Sequence, residues 1–139
     1  MPDEAKQWVA VTVLVLCDDT LLSMQRGSSQ KTGAGLWEGI SGRVRPGEEP
    51  HVAASREVVE ESGLRVEIAQ RPIATYAALR GGDPMTVIVF RGAFIEGEVR
   101  LSKEHDAYRW VTAAEFEALG APAQLVQIAR ELLSDGADV

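Results

Sequence analysis

The chain has 139 residues, 45% of them hydrophobic and 25% charged, with a formal net charge of −7 and a pI near 4.8. That length suits one domain, residues 1–139, around a single core, and the acidic balance excludes a protein that coats nucleic acid, which needs a basic surface. The lone Cys17 excludes an intrachain disulfide and a cysteine-based zinc site and points to a reducing cytoplasm; no secretion signal and no apolar run long enough for a membrane span is visible.

Residues 8–16, WVAVTVLVL, are β-branched and apolar on both faces, the pattern of a central strand covered on each side. Cys17 at its end reads as an inert buried thiol. Asp18-Asp19 marks a turn into a returning strand from Thr20 to Gln25, ending at Arg26. Gly27 to Gly35 is a polar loop of the kind that gates substrate sites, and Leu36 to Ile40 is a short strand leading into Ser41-Gly42. A helix is predicted over about residues 50–62: Pro50 suits the first helical position and Gly63 the residue past the end. Residues 64–79 hold one long strand or two, interrupted near Pro72, and Arg80 to Pro84 is a turn. Strands are expected over 85–95 and 107–111, with a loop and a possible short strand over 96–103. Thr112 with Glu115 has the spacing of a capping box for a helix over 113–119. Residues 121–133 form an amphipathic helix with Leu125, Ile128, Leu132 and Leu133 on one side. The sum is an α+β fold, a mixed sheet between helical layers.

The central helix is the informative part. Glu57, Glu60 and Glu61 stand at i, i+3 and i+4, on one stripe. Like charges at that spacing repel by about 0.2–0.5 kcal/mol per pair, so local stability does not account for them. Val52, Val58 and Val59 lie round the far side and are expected to pack on the sheet. A solvated acidic face is the bland explanation, but it leaves the absence of basic partners at i±4 and the glycine-rich approach unexplained. A hard divalent cation accounts for both, because it takes several oxygens and commonly shares a few carboxylates with a substrate phosphate.

Gly42, Glu48, and the run Arg56-Glu57-Val58-Val59-Glu60-Glu61-Ser62-Gly63-Leu64 together resemble an unbroken Nudix box, covering Gly42 to Leu64. The resemblance implies an α/β/α sandwich and a Mg²⁺-dependent hydrolase (with Mn²⁺ as the substitute ion) of nucleoside diphosphates linked to another group. By position in the box it implies Glu57, Glu60, Glu61 and the main-chain carbonyl of Ser41 as metal ligands. Either Glu57 or Glu60 would also activate water. Glu48 would hold Arg56 or an outer water, and Arg56 would orient a glutamate. Gly42 keeps the path of the phosphate open, since a side chain there would crowd it.

Beyond the box, Glu104 is the candidate for a further carboxylate, acting as an extra ligand or base. Arg26 and Arg43 are the candidates to bind phosphate oxygens, ahead of Lys31, Arg45 and Lys103 on exposed segments. His105 beside Glu104 could accept a proton near neutral pH, but a surface position is the default, as it is for His51. Tyr108 and Trp110 share one strand face and, like Trp37, are expected in the core. The implied partner is a small-molecule nucleotide, not a nucleic-acid polymer or a membrane, and monomer and homodimer both stay open. A (d)NTP-type, house-cleaning substrate is favoured by the compact chain; a dinucleoside polyphosphate or nucleotide sugar is the alternative, and a non-catalytic nucleotide-sensing module the rival of a different class.

Overall fold

The computed structural model describes residues 6–137, with side chains through residue 134. Its centre is β1 (Trp8–Cys17), whose side chains alternate between two separate cores. Val11, Val13 and Val15 point into one and Leu14 and Leu16 into the other, the arrangement that an apolar run without polar alternation requires. β1 pairs in parallel with β7 (Asp83–Glu96), from Trp8 opposite Met85 to Leu16 opposite Ala93. On its other edge it pairs antiparallel with β4 (Ile40–Arg43) through residues 10–13 and with β2 (Thr20–Arg26) at Leu16-Cys17. β3 (Trp37–Glu38) and β8 (His105–Val111) pair with β2, while β5 (Arg65–Ile68) and β6 (Ala74–Arg80) pair with β7. These strands make one eight-stranded mixed sheet.

Helix α1 (Pro50–Ser62) covers one face through Ala53, Ala54 and Val58. The other face carries α2 (Ala113–Ala118) and α3 (Ala123–Ala137), through Phe116, Leu125, Val126 and Ala129. The α/β/α sandwich expected from the sequence is therefore present. Two helix boundaries are set by local chemistry. Thr112 and Glu115 exchange both hydrogen bonds of a capping box at the start of α2. Gly63 takes a left-handed φ of 70° and closes α1 with its N–H on the Val59 carbonyl.

Several expectations need correction. The short strand over 36–40 is two strands, because the chain crosses at Gly39 from the β2 edge to the β1 edge. Its backbone passes so near that a Cβ there would lie 3.0 Å from the Val13 carbonyl oxygen. Ser41 and Gly42 consequently lie inside β4, opposite Thr12 and Val11, rather than in a glycine loop. Of the two readings of residues 64–79 the two-strand one holds. The turn expected over 80–84 narrows to Gly81-Gly82 because Arg80 ends β6 and Asp83 begins β7, and 96–103 contributes no separate strand beyond the end of β7 at Glu96. Val52 and Val59 are exposed, 55% and 67%, so the far side of α1 is not its packed face. The helix is turned so that Glu57 and Glu61 share the sheet-facing side with Ala53, Ala54 and Val58. Cys17 is half-buried, Tyr108 is exposed, and Trp110 packs edge-on against Phe94 with ring centroids 5.5 Å apart.

Candidate active site

The orientation of α1 makes the box carboxylates unequal. Glu57 and Glu61 are buried, while the side chain of Glu60 is 51% exposed. Room for Glu57 is made by the strand beneath it: a Cβ on Gly42 would overlap the Glu57 carboxylate. The glycine is thus required by the helix glutamate, and crowding of an incoming phosphate is not needed to explain it.

Arg56 organises the acids. Its Nε and Nη2 donate to the two oxygens of Glu48 at 2.9 Å each, a bidentate fork. Nη1 donates to Glu57 at 2.7 Å and reaches Glu60 at 3.4 Å, and Nη2 also donates to the Arg43 carbonyl at 3.1 Å. The stripe therefore has a cationic partner, supplied from within the helix. The Arg56 guanidinium, helped by the backbone N–H of Arg45, holds the Glu48 carboxyl down to about 2.

Glu61 has no such help. It is 2% exposed, and neither carboxylate oxygen has a hydrogen-bond partner. Burial first, and then the neighbouring Glu57, push its carboxyl up to about 11. Leaving a buried polar group unsatisfied costs about 1–3 kcal/mol, so both oxygens call for a partner that the chain itself does not provide. Among the described residues no three His, Cys, Asp or Glu side chains are already drawn into a cage. A cation of the Mg²⁺ type needs no dedicated cage of that kind, since it binds through one or two carboxylates plus substrate phosphate and water. The hard oxygen donors and the orphaned oxygens of Glu61 fit such an ion.

Above these acids lies a cleft of about 810 Å³. Ser41, Gly42, Arg43, Glu48, Arg56, Glu57 and Glu60 line it from the box, and Arg26 and Glu104 from outside. Glu61 does not line it; it sits behind. Arg26 is partly occupied by its own loop, donating to the Thr32 carbonyl at 3.0 Å and to Gln30 at 3.3 Å, with Glu38 3.5 Å away. Arg45 lines the cleft, whereas Lys31 and Lys103 are exposed and do not. A second cleft, of about 590 Å³, runs from the β1–β2 turn to Tyr108 and Trp110. It contains Asp18, Asp19 and Glu98 but no lysine or arginine, so a polyphosphate would meet only repulsion there.

Sequence reasoning missed three residues and misplaced a fourth. Trp8 and Arg80 both line the main cleft, and the guanidinium carbons of Arg43 and Arg80 lie 5.0 and 5.3 Å from the centre of the Trp8 ring. Burial, followed by the charges of Arg43 and Arg26, lowers the pKa of Arg80. Glu38, the third missed residue, lies 3.0 Å from the misplaced His105, which is only 4% exposed and 3.8 Å from Glu61. The surface position expected for His105 is wrong because β8 begins there, against a bulge at Gln25/Arg26 that turns the ring inward. His51 is half-buried too, its Nε2 3.3 Å from the Ile68 carbonyl and its ring edge-on to Phe90.

The α/β/α layering and the box helix together define the Nudix class of fold. A NUDIX domain model matches residues 6–135. A Mycobacterium tuberculosis protein provisionally named 8-oxo-dGTP diphosphatase 2 is 36% identical over 113 residues, 76% of this chain and 77% of that protein. The asymmetrical bis(5'-nucleosyl)-tetraphosphatase of Rattus norvegicus is 35% identical over 102 residues, 63% of this chain and 67% of that one. An octanoyltransferase of Myxococcus xanthus is 37% identical over 81 residues, and the match spans 23% of its length. The crystal structure of a MutT protein from Methanosarcina mazei Go1 superposes with a TM-score of 0.84 at 24% identity, covering 99% of this chain and all of that one, a likeness of fold. The chain belongs to the NUDIX domain family and is an enzyme, a MutT-like hydrolase of phosphorus-containing anhydrides. Among the described residues no helix is long and apolar enough to cross a membrane.

Proposed function

We propose that residues 1–139 act as one catalytic unit, a Mg²⁺-dependent pyrophosphohydrolase that cleaves the P–O–P bond of a nucleoside diphosphate linked to another group. The observation that carries this is the mixed lining of the cleft: Glu57 and Glu60 share it with Arg43 and Arg80, which have no carboxylate partner among the described ion pairs. A chain of phosphates offers negative charge to the arginines along its length and a reacting phosphorus to the acids.

Glu57, Glu60, Glu61 and the Ser41 carbonyl would hold the divalent ion, with Mn²⁺ as a substitute. When bound, that ion offsets phosphate charge and makes water more acidic. Arg43 and Arg80 grip phosphate oxygens through charge-assisted hydrogen bonds, and Arg26 adds a third charge where its loop leaves it free. Glu57 or Glu60, or Glu104 from the segment just before β8, accepts the proton of the water that attacks phosphorus. Arg56 keeps Glu57 aimed, and Glu48 keeps Arg56 in place. The products are a nucleoside monophosphate, or its equivalent, and the remaining phosphorylated group.

The favoured substrate is a (d)NTP-type nucleotide, in line with the name of the mycobacterial relative. A dinucleoside polyphosphate is the second reading, supported by the rat relative's name and by two arginines beyond the box acids, which suit a longer phosphate chain. The reducing interior of the cell is where either pool resides and is the proposed location. A nucleotide panel with Mg²⁺, read as phosphate after phosphatase treatment, tests the proposal. Turnover of one nucleotide class supports it; tight binding of a nucleotide without turnover of any would instead identify a sensing module.

A further inference from the structure

Glu38 lies outside the Gly42–Leu64 segment, yet it touches most of what that segment works with. Its side chain is 14% exposed. Oε1 accepts from Ser41 Oγ, on β4, at 3.2 Å. Oε2 accepts from His105 Nε2, on β8, at 3.0 Å, and Arg26 Nη1, on β2, lies 3.5 Å from the same oxygen. The far partners of these groups are the site itself. Ser41 precedes the glycine that accommodates Glu57, His105 Nε2 lies 3.8 Å from Glu61 Oε1, and Arg26 lines the cleft. One carboxylate therefore connects β2, β4 and β8 directly, and α1 through His105.

We propose that Glu38 is a positioning residue: by holding Ser41, His105 and Arg26 at once, it fixes the strand backbone, the buried glutamate and Arg26 of the cleft relative to one another. The inference rests on the hydrolase reading above. The chemistry of the group is specific to the task, because a carboxylate accepts on both oxygens, whereas the amide of glutamine accepts on one side and donates on the other. Glu38→Gln keeps the shape but removes the negative charge that Arg26 and His105 face, and with its carbonyl on that pair it can keep Ser41 only by turning that hydroxyl from donor into acceptor. Residues that orient ligand-bearing groups typically contribute about 10- to 100-fold in metal affinity or activity.

The experiment measures three quantities on the intact chain: Mn²⁺ affinity without nucleotide, from the free-ion paramagnetic resonance signal; kcat and KM on a nucleotide the wild type turns over; and the melting temperature. Glu38→Gln is expected to bind Mn²⁺ about 10- to 100-fold more weakly and to lose kcat on the same scale. It should melt within a few degrees of wild type, with Glu38→Asp recovering part of the affinity. Adding Ser41→Ala to Glu38→Gln should cost less than Ser41→Ala does in the wild-type background, because the two side chains act as one unit. Wild-type Mn²⁺ affinity and kcat in Glu38→Gln would overturn the proposal. Should that variant not fold, Ser41→Ala decides: about threefold or greater weakening of Mn²⁺ binding supports the proposal, and unchanged binding overturns it. A wild type that binds Mn²⁺ but hydrolyses no nucleotide defeats the hydrolase reading instead, and the Mn²⁺ measurements still judge Glu38.

Discussion

Gly42 and Glu57 share one volume: the space a Cβ would occupy on the strand residue is filled by the carboxylate of the helix residue. Gly42→Val must therefore displace Glu57, breaking its 2.7 Å contact with Arg56. Overpacking of this kind costs about 1–3 kcal/mol. The expected outcome is a lower melting temperature and a loss of turnover of roughly 100-fold or more, the scale of a lost catalytic proton acceptor. Near-normal activity in that variant would refute the assignment of Glu57 to the site.

Glu60 offers the complementary case. It is the exposed member of the stripe and its contact with Arg56 is the long one, 3.4 Å. Glu60→Gln removes a charge from a repulsive set, so thermal unfolding should be unchanged or slightly improved. Turnover with Mg²⁺ should fall by about 10²–10⁴-fold. An unfolded Glu60→Gln protein would reveal a structural role for the stripe.

The buried Glu61 predicts a pH dependence with a definite sign. Its folded-state pKa is raised from 4.5 to about 11, so its contribution to stability is fully present below about 4.5 and is lost as pH rises towards 11. In chelator, Glu61→Gln should melt above wild type, by a margin that widens from pH 5 to pH 9. Mg²⁺ should raise the melting temperature of wild type more than that of the variant. A margin independent of pH, followed by calorimetry across that range, would show that the buried charge is compensated by something else.

Arg80 should act on binding more than on chemistry. Arg80→Ala removes one guanidinium from the lining of the cleft while leaving the box acids in place. KM is expected to rise by roughly 10- to 100-fold, the scale of a charge-assisted hydrogen bond, with a much smaller change in kcat. Steady-state kinetics at two salt concentrations would check this, because the effect should shrink as ionic strength rises.

The sequence was most legible where the determining contacts are local. The β-branched run of β1, the Pro50 and Gly63 ends of α1 and the Thr112–Glu115 capping box each carry their own physical reason within a few residues. The helix phase was misjudged because valines at 52 and 59 were assumed to seek the sheet, although glutamates occupy that side through a cavity that only Gly42, on another element, provides. Glu38 and His105 stayed hidden for a related reason: they are 67 residues apart, and nothing near either one signals the other. Trp8 and Arg80 meet only because β1 lies beside β7 and β6 folds back on it. An arginine closing one strand and a tryptophan opening another have no shared pattern to read in one dimension.

The parallel seam between β1 and β7 has a consequence for biosynthesis. β1 must wait for residues 85–93 before its longest edge is covered, and non-local pairing of this sort slows folding. During that interval the acid-bearing helix already has β1 and β4 beneath it, but Arg80 and Glu104 of the cleft are made only afterwards, so the nascent site would carry its acids before it had its full grip on a nucleotide.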